Sequence, residues 1–392
     1  MPSAQRISAS RRRSAICLTA ALLLVGALGG CGSSGNDNDN ASAGSAPVSG
    51  GASRAELEAN VTTFTKVPTS IGVTEPLKAL PTGKTVGWIG NGTQNDLASF
   101  EVFKEAAAIL GLQVTSLANT SKIEDEVAAI EQAISRHFDI VVLNGVLPSA
   151  LGPQLKELHE SGTKILGYAL SIRGFTAPNI DFAFFPNEDG DRFAEIMGDW
   201  LVLNTKGPAH ILVPYAPDVQ SGVEQVNALR SHLKETCPAC TMETLDFSFA
   251  QIGSTLPSRI ASAVEANPEI NAIYAPFGAI FTGVPEALGQ AGLKDRVVAA
   301  TASGIPVNMQ QIQSGNVLGA SMDIGLGYRG YMLADGAARL LAGQTIPTVT
   351  YEGFDFPVQV HTKDNLNFDI SKAWEGEPAD YKTQFKKLWS VG

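Results

Sequence analysis

Three patterns in this 392-residue sequence carry residue types that could do chemistry. Cys237-Pro238-Ala239-Cys240 has the CxxC spacing of a redox pair or of a short disulfide. It falls between a helix ending near Glu235 and a strand starting near Met242, not at a helix start, so a disulfide stapling the turn is expected. Gly325-Leu326-Gly327-Tyr328-Arg329-Gly330 is a literal GxGxxG between a strand and a helix. A dinucleotide site also needs an acid about twenty residues on, at the end of the next strand. Position 345 is Thr, so a glycine-lined hinge is expected, and no cofactor. Asn187-Glu188-Asp189-Gly190-Asp191 has the carboxylates of a calcium loop, but its glycine is misplaced and no bidentate Glu closes it. Acids in a first helical turn offset the helix dipole, which accounts for them. His137, His159, His210, His232 and His361 show no metal-ligand spacing, so no metal is expected. There is no GxSxG elbow, and Glu124-Asp125-Glu126 opens a capped helix; the chain is not expected to be an enzyme.

Charge and the first fifty residues set the compartment. Lys+Arg 28 against Asp+Glu 39 gives a net charge of −11. Arg6, Arg11, Arg12 and Arg13 precede an apolar stretch from Ala15 to Leu28, and Leu28-Gly29-Gly30-Cys31 follows. Basic start, short apolar core and small residues before a cleavage point define an export signal. The cysteine after the small pair resembles the bacterial lipobox, in which Cys31 is lipidated and becomes the first mature residue; Cys17 is lost with the leader. An ordinary secretory cleavage with an incidental Cys31 is the alternative, and Ser10 to Arg13 weakly resembles a twin-arginine signal. Without the leader's four arginines, 24 basic residues face 39 acidic ones, net −15, which argues against nucleic acid as partner. Gly32 to Ser53 is nearly all Gly, Ser, Asn, Asp and Ala, a composition that cannot bury enough apolar area to fold and reads as a tether.

The body alternates strand and helix. Apolar strand signals fall at Thr85–Gly90, Gln113–Leu117, Asp139–Leu143, Lys164–Ala169, Ile180–Phe185, His210–Val213, Thr241–Phe247, Ala272–Ala275, Val297–Thr301 and Val317–Met322. Helical spacing fills the gaps, from Leu97–Leu110 to Tyr328–Leu341. This alternation means α/β architecture with parallel sheets and right-handed crossovers. Ten strands exceed what one compact open sheet usually holds, so two lobes are expected; a closed (β/α)₈ barrel is the alternative. Ligands of open parallel sheets sit beyond the strands' carboxyl ends, which singles out the turns Asn91–Asp96, Asn144–Leu147 and Tyr215–Gln220.

Lys84-Thr85-Val86-Gly87-Trp88-Ile89-Gly90, Phe138 to Asn144, Asn267 to Ala275 and Asn316 to Asp323 occur in the order of a type I periplasmic binding protein. Together with the lipobox and tether, the chain resembles the ribose-binding-like solute receptors of ABC importers over about residues 80 to 365. The resemblance implies two Rossmann-like lobes joined by three segments near Ile180–Ala183, Asp323–Gly325 and Val349–Phe354. The implied division is signal 1–30, tether 31–53, N-terminal extension 54–81, first lobe 82–183 with 324–350, second lobe 184–323 with 351–370, and tail 371–392. Carried over position by position, it places a ligand at Thr93, Gln94, Asn95 and Asp96, near Ser221–Val223, and at Phe277, Thr301 and Asp323; Asn144 joins them from the strand-end turns, with Phe277, Tyr168 and Tyr215 as apolar walls. The Asp-Arg pair usual after the fourth strand falls on Ala169-Leu170, so the expected ligand is less hydroxylated than a simple sugar, aromatic or terpenoid. The implied function is a monomeric, lipid-anchored receptor that captures a small molecule and delivers it to an ABC-transporter permease. A receptor of the same fold signalling to a membrane kinase or chemoreceptor is the alternative.

Overall fold

In a computed structural model, the described residues are 51–120, 122–348 and 351–390; the leader, Cys31 and most of the tether lie outside them. The first half runs α1 (Arg54–Thr65), β1 (Thr85–Gly90), α2 (Gln94–Ile109), β2 (Gln113–Asn119), α3 (Ile123–Ser135), β3 (Ile140–Asn144), α4 (Gly152–Glu160), β4 (Lys164–Tyr168) and β5 (Phe182–Phe184). Then come α5 (Asn187–Asn204), β6 (His210–Tyr215), α6 (Gln220–Thr236), β7 (Thr241–Asp246), α7 (Leu256–Ala266), β8 (Ala272–Ala275), α8 (Val284–Gln290), β9 (Val298–Ala302), α9 (Pro306–Ser314) and β10 (Leu318–Asp323). The chain closes with α10 (Leu326–Leu341), β11 (Gln359–Thr362) and α11 (Tyr381–Leu388).

Two sheets form, one in the order β2-β1-β3-β4-β5 and the other β11-β10-β9-β8-β6-β7. All pairs are parallel except β10 with β11. Open sheets of five and six strands exclude the closed barrel. Central strands are covered on both faces, so their residues are almost uniformly buried, as Ile140–Asn144 and Ala272–Ala275 show.

The chain passes from one sheet to the other three times: between β5 and α5, between β10 and α10, and between α10 and β11. Ala183 is inside β5, so the first passage begins at Phe185, a non-glycine residue at φ 54°. α10 returns to the first sheet and packs on α2. Gly330 makes that approach possible, because a Cβ there would collide with Val102 and the Phe103 backbone of α2. The GxGxxG glycines are therefore close-packing residues.

Two further segments join the lobes. Helix α1 packs on α5 and β11 of the second lobe, opened by a Ser53–Glu56 capping box. The irregular segment that follows lies on the first lobe, where the Tyr328 hydroxyl donates to Ile71 C=O at 2.9 Å and Leu77 N–H to Leu388 C=O at 3.1 Å. At the other end, Leu366, Phe368 and Ile370 pack on the second lobe, while Tyr381, Phe385 and Trp389 stack against Tyr328 and Tyr331 of α10. A buried Arg339–Asp335 pair, 2.6 Å, ties these pieces together: Arg339 also donates to Glu75 C=O and Trp389 Nε1 to Asp335. Burying such a pair costs desolvation, and the extra donors and acceptors offset it.

Some local expectations differ from the structure. Helix α2 begins at Gln94 because Thr93 caps it, accepting from Asp96 N–H. Between β8 and α8 the chain makes a 3₁₀ turn, Gly278–Phe281, set off from α8 by Gly283 at φ 78°.

Candidate functional site

The carboxyl-end loops of both sheets meet between the lobes. Asn95 at the start of α2, Gly304 and Met309 after β9, and Asp323 at the end of β10 line a narrow, nearly closed recess. Roomier hollows lie at the opposite, amino ends of strands, one at Lys84, Asp139 and Lys164 and another at Glu286, Lys294 and Asn316. Strand direction alone makes those the wrong ends for a ligand.

On the first lobe, the expected polar cluster is mostly a brace. The Asp96 carboxylate is buried and accepts from Trp88 Nε1 at 3.2 Å, Gly92 N–H at 2.9 Å and Asn144 Nδ2 at 2.6 Å. It lies directly over Gly90, where a Cβ would collide with it. Asp96 and Asn144 thus hold the β1 and β3 turns together. Thr93 caps α2 and donates to Asn91 Oδ1 at 2.8 Å. Gln94 is exposed, and Asn95 alone of the four lines the recess.

Tyr168 departs furthest from expectation. It is buried beneath the Arg329 guanidinium, 4.7 Å from the ring centre, and stacks on Phe185 at 5.7 Å. Burial pushes its phenol above the ordinary value. Arg329 comes from α10 and donates to Asn95 C=O at 3.0 Å and to Ser99 Oγ. Tyr168 is therefore a packing surface for a buried cation at the lobe junction. Next to it, Phe185, Phe193, Phe354 and Phe356 pack around Asp189 and Asp355. Asp189 Oδ2 and both Asp355 oxygens are buried without a donor among the described residues. Burial pushes Asp189 up to about 7 against the opposing influence of Asp355, and burial together with the neighbouring Asp189 carboxyl pushes Asp355 well above the carboxylate range.

On the second lobe, Phe277 is partly exposed and lies 6.4 Å from Phe249, itself 6.1 Å from Phe247. Gly222 lets the Phe277 ring sit down on α6, since a Cβ would meet it at 3.3 Å. Ser221 sits in the first turn of that helix. Tyr215 is half-buried, with its phenol pushed up by burial and by Asp246. Thr301 does not reach the cleft: it is 0% exposed and donates to Ala275 C=O at 2.9 Å. Asp323 reaches the recess already engaged, by Gly304 N–H at 2.5 Å, Ser321 Oγ at 2.9 Å and His361 Nδ1 at 2.8 Å.

Sequence reasoning missed three residues here. Arg173, in the loop between β4 and β5, crosses to the second lobe and pairs with Glu224 at 2.5 Å and Asp191 at 2.9 Å. Its signal was an arginine four residues past the position where an Asp-Arg pair was sought. Arg329 was hidden inside the glycine motif. Phe249 is 48% exposed and follows a strand end, which was its only sequence signal. The CxxC residues are joined as a disulfide at the end of α6.

The carboxylate lining the recess is tied up by backbone and imidazole, and among the described residues no three His, Cys, Asp or Glu side chains could hold a metal ion. No described helix is long and apolar enough to cross a membrane.

Among curated protein sequences none matches. The fold is similar to an ABC sugar transporter subunit from Rhodobacter sphaeroides, with TM-score 0.62 and 19% identity, covering 72% of this chain and 99% of that one. It is similar to an ABC-transporter solute-binding protein from Agrobacterium vitis with bound allitol, at 0.63 and 18%, covering 74% and 98%. A 5-methylthioribose transporter solute-binding protein from Thermotoga lettingae gives 0.61 and 16%, covering 78% and 98%. The family described as periplasmic binding protein domain matches residues 86–345, which take in β1 to β10 and the part of the recess from Asn95 to Leu326. Two sheets with their carboxyl ends facing across a cleft agree with that match: the chain belongs to the periplasmic binding protein domain family, whose members bind solutes and are not enzymes.

Proposed function

We propose that this protein is the extracytoplasmic receptor of an ABC importer, closing its two lobes on a neutral, sugar-like solute that carries an apolar portion. One observation supports the ligand class. Both charged side chains lining the recess are already paired, Asp323 with His361 at 2.8 Å and Lys372 with Asp369 at 3.2 Å. A charged solute would need an unpaired countercharge there, and a fully hydroxylated sugar would need more free polar groups than Asn95 and Asp323 provide. Ile305, Ile324 and Leu326 complete the walls, which suits an apolar substituent. The neighbours with bound allitol and 5-methylthioribose mark the range, and the second fits these walls better.

The mechanism is a population shift. A solute touching both lobes stabilises the closed form by its differential contact with that form. The three passages at Phe185, Ile324–Gly325 and the segment before Tyr351 act as the hinge. Lipid on Cys31 holds the receptor beside its permease, to which the closed form delivers the solute. Several acyl chains on one cysteine would give lasting attachment.

Thermal-shift and calorimetric titration of the exported chain with 5-methylthioribose, allitol and D-allose tests the reading. The expected result is a ligand-dependent rise in Tm, largest for 5-methylthioribose. Chemical conversion of the solute, or no binding by any of the three, would overturn it. Mass spectrometry of the N-terminal peptide, with Cys31→Ala releasing the protein from the membrane, tests the anchor.

A further inference from the structure

The recess has one wall that does not come from the family-matched span. Residues 86–345 carry the family match, yet Lys372, Ala373 and Trp374, from the segment after β11, line the recess opposite Asn95, Met309 and Asp323. We propose that Trp374 is a specificity-determining residue of the solute site, its indole forming the platform for the apolar part of the ligand. This rests on the solute-receptor reading above.

The geometry holds that indole in register with the polar groups of the site. Its edge meets His361 at 4.4 Å, with the rings at 87°. His361 bonds Asp323 at 2.8 Å, and Asp323 accepts from Gly304 N–H. Trp374 is thereby linked through two side chains to the second lobe's contribution to the recess. Its own carbonyl accepts from Leu326 N–H at 2.9 Å, and the next carbonyl, Glu375, accepts from Tyr328 N–H at 2.8 Å. Those donors open α10, which packs on the first lobe. The residue is thus fixed to both lobes where the chain passes between them.

Its chemistry suits a mixed ligand. The indole N–H has no acceptor among the described residues, so it is available to a solute hydroxyl or ether oxygen while the ring supplies apolar contact. Asn95 and Asp323 face the same space with polar groups, and Met309 adds a polarisable apolar surface. A deoxy- or thioalkyl-substituted sugar meets both demands, and a fully hydroxylated aldose meets only the polar one.

Calorimetry with 5-methylthioribose and D-allose as probes, on the full exported chain, tests the assignment in wild type, Trp374→Ala, Trp374→Phe and Lys156→Ala. Trp374→Ala is expected to weaken 5-methylthioribose binding by about tenfold or more and D-allose binding much less, as loss of an apolar platform should. Trp374→Phe retains an aromatic surface and is expected to restore most of the affinity. It is also expected to abolish the ligand-induced change in tryptophan emission, because Trp88, Trp200 and Trp389 do not line the recess. Lys156→Ala, an exposed change on α4 away from the recess, should leave binding within about twofold. Equal affinities in wild type and Trp374→Ala, or an unaltered emission change in Trp374→Phe, would overturn the proposal and leave the receptor reading intact. A wild type that binds neither probe overturns both. Should Trp374→Ala fail to fold, Trp374→Phe decides through emission alone.

Discussion

Arg173 and Glu224 stand on different lobes, and the guanidinium Nη2 lies 2.5 Å from the carboxylate. The same nitrogen is 2.9 Å from Asp191 on α5, so one loop of the first lobe is held by two helices of the second. Hydrogen bonding from Arg173 is also what keeps the Glu224 carboxyl below its ordinary range. Half of the Arg173 side chain is solvent-exposed, which limits what any one of these pairs contributes.

The closed arrangement should therefore lean on Arg173 without depending on it. Arg173→Ala is expected to raise the radius of gyration of the ligand-free protein in small-angle scattering and to weaken solute binding by about two- to fivefold at low salt. Raising ionic strength should shrink the difference, because exposed charges are screened. Identical scattering and affinity at low salt would mean that the pairs do not bias the lobes.

A second junction responds to pH. Asp189 is pushed up to about 7 and Asp355 well above its usual range, mainly by burial, with Glu188 raising Asp189 further and Arg192 opposing it. Arg329 and Tyr168 are the other polar groups packed nearby. In the unfolded chain both carboxyls release protons near pH 4, while the folded chain keeps them. The folded state then binds more protons, so stability present in acid is lost as pH rises from about 4 through 7. Asp189→Asn keeps the shape and removes that titration. Its Tm is expected to exceed wild type at pH 8 and to approach it at pH 5; parallel pH profiles would show that the pair stays neutral throughout.

Much of this fold was legible because both-face burial leaves a plain trace. Ile140–Leu143 and Ala272–Ala275 are unbroken apolar runs, and the helices between them bury one stripe each. β11 was not legible: four residues, Gln359–Thr362, pair antiparallel at the sheet's edge, with no preceding helix to mark a crossover. Nor could the sequence say that Tyr168 would be covered by Arg329, a contact between residues 161 positions apart in the chain. Which strand-end residues face the cleft depends on how the lobes meet. Thr301 and Asp96 sit where ligand groups belong in the chain, yet local hydrogen bonds claim both. Trp374 lies in a tail whose only visible signal was its aromatic content.

Helix α1 depends on a histidine. His232 on α6 lies 2.6 Å from Asp199 on α5, whose other oxygen accepts from Asn60 of α1 at 2.5 Å. Burial works against the imidazolium, but the hydrogen bond and charge of Asp199 outweigh it and raise the His232 pKa. A raised histidine stabilises the fold fully below its unfolded pKa, about 6.5, and ceases to do so once pH passes its folded value. His232→Gln should thus cost about 1 kcal/mol at pH 5.5 and less at pH 8.5. Urea titrations at the two pH values check this, and an equal cost at both would remove the ion-pair account.

The disulfide between Cys237 and Cys240 lies where the tether joins the fold, since Ala52 N–H donates to Thr236 C=O at 2.9 Å beside it. Cys240 Sγ also accepts from Ala209 N–H at 3.2 Å at the start of β6. A loop this short restricts the unfolded chain only modestly, about 2 kcal/mol at most. The bond sits at the carboxyl end of α6, away from the strand ends that form the recess, and its sulfurs lack the helix N-terminus that activates a redox thiolate. Cys237→Ser/Cys240→Ser is accordingly expected to lower Tm by a few degrees and to leave solute affinity unchanged. Solute affinity that falls on reduction of the wild type, or a thiol titrating well below the ordinary cysteine range, would reassign the pair from staple to redox group.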